Sequence, residues 1–97
     1  MQVKIEVIGG PMDGSEFTLS KTGSIGREKL CEVYIQGDRY VSKKHALIRL
    51  EKDVFRIDDL GSTNGTFIDD EPVKEPTPLH DGQIFKVGRT LLKIEFL

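Results

Sequence analysis

Between Arg39 and Thr66 the chain carries a serine, two lysines, a histidine, a threonine and an asparagine in two short blocks, RYVSKKH and DLGSTNGT. An alternating run separates the blocks, and Gly26-Arg27 lies upstream of both. Hydroxyls, an amide, ammonium groups and a guanidinium on turns, beside free backbone N–H groups, are a donor set that holds a dianionic phosphate without metal or cofactor. A phosphate near neutral pH carries about −1.5 to −2 charges and three acceptor oxygens. One arginine, one lysine and one or two hydroxyls are enough to satisfy it. Each charge-assisted bond is worth roughly 1.5 to 3 kcal/mol, about ten- to a hundredfold in affinity, so an unphosphorylated ligand forfeits most of the binding. These residues imply a phosphate-recognising binding module with no cofactor.

Positioning such groups falls to short strands, because the dominant period of the chain is two. Val3, Ile5 and Val7 alternate with polar residues, Phe17 and Leu19 flank Thr18, and Val33 and Ile35 flank Tyr34. Ala46, Ile48 and Leu50 form one face of a strand that turns at Lys52-Asp53 and returns through Phe55 and Ile57, the pattern of a tight hairpin. Ile84 to Val87 and Leu92 to Phe96 give two more strands around Gly88-Arg89. Turn residues recur between them, and no segment sustains a 3.6-residue period over a helical length; the best helical candidate, Glu28 to Glu32, amounts to one turn. This describes an all-β sandwich of short, mostly antiparallel strands. In such a fold the binding residues sit on loops at one end. Since the hairpin from Ala46 to Asp58 runs out and back, Ser42 and the Gly61 to Asn64 loop are expected to be neighbours.

Composition bounds the partners. Ninety-seven residues specify one domain, 1–97, and 37% hydrophobic with 31% charged residues is an ordinary globular balance. The net charge of −2 argues against direct nucleic-acid binding, which draws on a basic excess. Cys31 stands alone, so it has no internal disulfide partner, and a reducing compartment is the simplest inference. No apolar run approaches the roughly 18 residues of a membrane span, and MQVKIEVIGG lacks the continuous apolar stretch of a signal peptide; a cytoplasmic protein that does not engage membranes is expected.

The order Gly26-Arg27, then Ser42-Lys43-Lys44-His45 as S-x-x-H, then Thr63-Asn64-Gly65 within GSTNGT, resembles the forkhead-associated (FHA) domain. GGPMDGSEFTL near the start and DGQIFKVG near the end extend the likeness over nearly the whole chain. The resemblance implies a sandwich of about eleven strands whose end loops bind a phosphothreonine peptide, the product of a Ser/Thr kinase, in signalling by protein–protein interaction. It implies that Arg27 bonds a phosphate oxygen, Ser42 donates its hydroxyl to the phosphate and Thr63 shapes the phosphothreonine pocket. Asn64 would bond the peptide backbone on either side, and Lys43 would reach phosphate or peptide carbonyls as a mobile point charge. Gly26, His45 and Gly65 would support the site without touching the ligand. Residues after the phosphothreonine, the third above all, would set target choice, with the loops bearing Tyr40, Val41 and Asp81-Gly82 as candidates to line that subsite.

Two other readings remain open at this stage. Ser42, His45 and Asp58 or Asp59 supply the residue types of a nucleophilic triad, but no G-x-S-x-G elbow surrounds the serine, and no enzymatic activity is expected. A sandwich that binds its partner through another surface, independently of phosphate, would draw on Asp69-Asp70-Glu71 and the following EPVKEPTP segment.

Overall fold

Alternating burial along β1 (Val3–Gly9) shows how the sandwich assembles: Val3, Ile5 and Val7 are fully buried while Lys4 and Glu6 face outward. A computed structural model describes residues 1–97. The remaining strands are β2 (Glu16–Leu19), β3 (Gly23–Gly26), β4 (Val33–Tyr34), β5 (Ala46–Glu51), β6 (Val54–Asp59), β7 (Thr66–Ile68), β8 (Glu71–Pro72), β9 (Thr77–Pro78), β10 (Ile84–Val87) and β11 (Thr90–Phe96). They form a six-stranded sheet in the order β2-β1-β11-β10-β7-β8 and a five-stranded sheet in the order β4-β3-β5-β6-β9. Every pair is antiparallel except β3 with β4.

The inward side chains of both sheets meet in one core of 17 buried apolar residues, among them Ile25, Ile48, Phe55, Ile57, Phe85, Leu92 and Ile94. Side chains alternate across a strand, so each of these strands buries every second residue against the opposite sheet. Phe55 of β6 meets Phe96 of β11 across the layers with centroids 5.9 Å apart. On the outer face Lys4 bridges Glu16 and Glu95, each at 3.5 Å, from the two strands that flank it.

Lys52 and Asp53 both take left-handed φ values, 50° and 64°, as a two-residue turn matched to the twist of the β5–β6 hairpin requires. Two features differ from expectation. Glu28 to Glu32 forms no helical turn of its own; the Cys31 N–H reaches back to the Glu28 carbonyl in an isolated turn between β3 and β4. The EPVKEPTP segment is strand at both ends: β8 pairs with β7 in one sheet and β9 with β6 in the other, so the segment crosses between sheets at their edges. Ladders only two residues long carry no alternation that a sequence pattern can reveal.

Candidate functional site

Register decides which loops share an end. Ile25 of β3 lies opposite Ala46, Ala46 lies opposite Asp59, and Thr66 at the start of β7 lies opposite Val87 at the end of β10. Arg27, the 35–45 segment, the 60–65 loop and the Gly88-Arg89 turn therefore leave the sheets at one pole.

There the loops are stitched together through residues 40 to 42. Asn64 Nδ2 donates to the Tyr40 carbonyl at 2.9 Å, Arg27 Nε donates to the Val41 carbonyl at 2.9 Å, and the Arg27 N–H donates to the Ser42 carbonyl at 3.1 Å. Ser42 Oγ accepts the Thr63 N–H at 3.2 Å. Arg27, Ser42, Thr63 and Asn64, expected from sequence to converge, are thus bonded to one short segment. These contacts leave several groups open. Arg27 is exposed with its terminal guanidinium nitrogens unused, the Ser42 hydroxyl proton has no acceptor, Thr63 is exposed, and Asn64 Oδ1 is unpartnered. Lys43 projects an exposed ammonium that joins no ion pair, while its backbone carbonyl accepts the Glu28 N–H and the Cys31 thiol.

His45 is completely buried beneath this segment. Its Nδ1 accepts the Ser42 N–H at 3.0 Å and its Nε2 lies 2.8 Å from the Gly65 carbonyl, which only accepts, so the proton resides on Nε2. Both ring nitrogens are occupied in holding two loops in register. Ser42 contacts this ring through its backbone rather than its hydroxyl, so the pair does not have the geometry of an activated nucleophile. Gly26 has a steric reason: a Cβ there would collide with the Lys43 carbonyl oxygen and come within 2.9 Å of Cys31 Sγ. Only glycine lets β3 pass this close under the recognition loop.

Two carboxylates that sequence reasoning did not assign to the site hold its loops. Asp59 accepts the N–H groups of Gly61 and Ser62 at 3.1 and 3.0 Å, the Ser62 hydroxyl at 2.6 Å and the Thr66 hydroxyl at 2.7 Å. Partial burial pushes its carboxyl up, but the hydrogen bonds from the Ser62 and Thr66 hydroxyls and the Ser62 N–H outweigh burial and hold it below the ordinary 3.8. The Asp-x-x-Ser spacing was the available signal, since an aspartate commonly caps its own following turn. Asp38, 4% exposed, accepts the Tyr40 N–H, the Arg89 N–H and the Thr90 hydroxyl, tying the loop to the β10–β11 turn. Asp81-Gly82, a candidate to line the target subsite, lies at the opposite pole beside Ile94 and Phe96; the turn that approaches Tyr40 and Val41 is Gly88-Arg89. Both turns flank β10, and only the register tells its two ends apart.

A two-sheet sandwich whose loops gather a guanidinium, two hydroxyls and an amide around one braced segment defines a β-sandwich recognition domain. This chain belongs to the FHA family: the FHA domain model matches residues 23–88. It is 38% identical over 81 residues to the glycogen accumulation regulator GarA of Mycolicibacterium smegmatis, covering 82% of this chain and 50% of GarA. It is 35% identical over 81 residues to the oxoglutarate dehydrogenase inhibitor of Corynebacterium jeikeium, covering 82% of this chain and 55% of the inhibitor. The chain thus spans about half the length of the curated relatives it matches. Among solved structures, the FHA domain of the CT664 protein from Chlamydia trachomatis superposes with a TM-score of 0.90 at 25% identity, covering 100% of this chain and 99% of that one. An FHA domain studied for phosphothreonine-dependent interactions superposes at 0.87 with 28% identity, covering 100% and 98%.

Proposed function

We propose that residues 1–97 act as one non-catalytic module that binds a phosphothreonine peptide, the product of a Ser/Thr kinase, and so makes a protein–protein interaction depend on phosphorylation. Membership of the FHA family and the likeness to a domain with phosphothreonine-dependent interactions support this reading. The observation that carries it is the convergence of Arg27, Ser42, Thr63 and Asn64 on residues 40 to 42, with a guanidinium, a hydroxyl proton and an amide oxygen left open. In this role Arg27 and Ser42 bond phosphate oxygens, Lys43 adds charge, Thr63 borders the phosphothreonine, and Asn64 bonds the peptide backbone. Gly26, His45 and Gly65 hold these groups in place. Cytoplasm is the proposed setting, where the buried thiol of Cys31 stays reduced.

The test is a fluorescence-anisotropy titration with a phosphothreonine peptide library and its dephosphorylated copy. The phosphorylated library binds, its copy does not, and Arg27→Ala weakens binding about ten- to a hundredfold. Equal binding of both libraries, or an Arg27→Ala protein that binds like the original, overturns the proposal. The reading in which a partner docks independently of phosphate predicts the first of these outcomes. Asp69 and Asp70, the acidic residues it invoked, form the turn between β7 and β8, away from the loop cluster.

A further inference from the structure

Away from the recognition pole, the outer face of the six-stranded sheet departs from the polar pattern of a solvated sheet surface. Phe85, Val87 and Leu92 point into the core, so Ile84, Lys86 and Leu91 point out, and Phe67 joins them from β7 beside buried Thr66. Register sets Gly9, Leu91, Lys86, Phe67 and Pro72 in one row across five strands. Ile84 lies two residues further along β10, opposite Lys93. Ile84 and Leu91 are 44% and 38% exposed, too open to serve this chain's own core. The matching face of the five-stranded sheet is polar, with Arg49 bridged to Asp58 at 3.0 Å.

Between these outward side chains and the Asp69-Asp70 turn runs a groove of about 250 Å³. Its charges are open. Asp69 and Asp70 are exposed and join no ion pair, and Lys86, whose ammonium lies 5.1 Å from the Phe67 ring centroid, joins none either. The aspartates stand on the β7–β8 turn and the lysine on β10, so opposite charges sit apart on one patch that also carries two aliphatic knobs and a hollow. A partner of uniform charge would leave one sign unmatched in the contact. A second copy does not, because an isologous contact presents the same self-complementary surface from both sides. A two-fold axis passing between Lys86 and the β7–β8 turn carries each lysine to the other copy's aspartates and brings Ile84 and Leu91 against apolar side chains.

We propose that this face seats a homodimer, in which the outer surfaces of β7, β10 and β11 of two copies pack together and Lys86 of each copy pairs with Asp69 and Asp70 of the other. The face measures about 24 Å across the strands and about 13 Å along them, roughly 300 Å² before side-chain relief is counted. That falls short of the roughly 800 Å² per partner of a standard interface, so pairing is weak and reversible, with a dissociation constant on the order of 10 to 100 µM. The loops bearing Arg27, Ser42 and Asn64 leave the sheets at the strand ends, so the dimer keeps both recognition poles open.

The test is sedimentation velocity of the unaltered chain from about 5 to 500 µM, a range that brackets that constant. The weight-average mass is expected to rise from the 10.9 kDa of one chain towards twice that value. Ile84→Lys/Leu91→Lys weakens pairing at least about tenfold, and Lys86→Glu does likewise by setting like charges opposite one another. Adding Asp69→Asn/Asp70→Asn to Lys86→Glu recovers part of the loss, as charges that meet across the contact require; asparagine tolerates the left-handed φ of both positions. An unchanged melting temperature in dilute solution confirms that each variant is folded, and Ile84→Thr/Leu91→Thr, which keeps strand propensity, replaces the lysine pair if that pair lowers it. A chain that stays monomeric throughout the range overturns the proposal and leaves the face to a protein of another sequence. A dimer that survives the substitutions at 84 and 91, or a Lys86→Glu loss that Asp69→Asn/Asp70→Asn does not relieve, overturns the assignment to this face. None of these outcomes bears on the phosphopeptide reading, because a peptide with one phosphothreonine is expected to bind the unaltered chain and the variant at 84 and 91 alike.

Discussion

Asp59 illustrates how much of a binding loop depends on a residue that never meets the ligand. Its carboxylate satisfies four donors of the 60–66 loop, and one of them, the hydroxyl of Thr66, belongs to a residue only 1% exposed. Asp59→Ala leaves that donor buried without a partner, and the expected cost is about 2–3 kcal/mol, read as a lower urea midpoint. The sign of the pH dependence follows from its depressed carboxyl. The contribution is fully present above the ordinary 3.8 and is lost as pH falls through the lower folded value. The difference in midpoint between the two proteins is therefore expected to be large at neutral pH and to shrink in acid, once pH has fallen below the ordinary 3.8. A difference that stayed constant would show that Asp59 acts through packing alone. His45 works in the same way through the hydrogen bonds of its two ring nitrogens, as the resemblance to the FHA family implied.

Among the elements, β3 and the β5–β6 hairpin position the site. The hairpin was legible because its faces alternate over six residues on each side and because Lys52-Asp53 sits where a two-residue turn closes it. From that hairpin alone the sequence predicts Ser42 beside the Gly61 to Asn64 loop, and the Thr63 N–H indeed reaches Ser42 Oγ. β3 contributes through closeness. Gly26→Ala would drive a methyl into the Lys43 carbonyl, and the loop bearing Ser42 and Lys43 must move away or the strand must shift. The expected result is a loss of about 1–3 kcal/mol in stability together with at least tenfold weaker phosphopeptide binding, checked by thermal unfolding and titration on the same protein. A stable Gly26→Ala protein with full affinity would refute the close-approach argument. β8 and β9 escaped the sequence because pairs of residues show no period, and Pro72 and Pro78 ordinarily speak against strands except at sheet edges, which is where these lie.

Taken whole, the molecule gathers several exposed cations at its binding pole. The net charge is −2, yet exposed Arg27, Arg39, Lys43, Lys44 and Arg89 all belong to the loops of one pole. Phosphopeptide affinity is therefore expected to fall about three- to tenfold between roughly 0.05 and 0.5 M sodium chloride, because exposed charges are screened over a few ångströms at the higher salt. Anisotropy titrations across that range check it, and an affinity indifferent to salt would contradict a binding pole held by exposed cations. The same view explains what the primary structure could and could not reveal. Alternation and turn chemistry are local, so the longer strands and the all-β sandwich were readable from the order of residues, while the count of about eleven strands and the roles of Arg27, Ser42, His45 and Asn64 came from the resemblance to the FHA family. The joining of Asp38 to Arg89 and Thr90 spans 51 and 52 positions, and the choice between Gly88 and Asp81-Gly82 as the turn nearest the site depends on which end of β10 faces it. Those are consequences of strand order and register, which arise when two sheets close over a common core and which no local pattern contains.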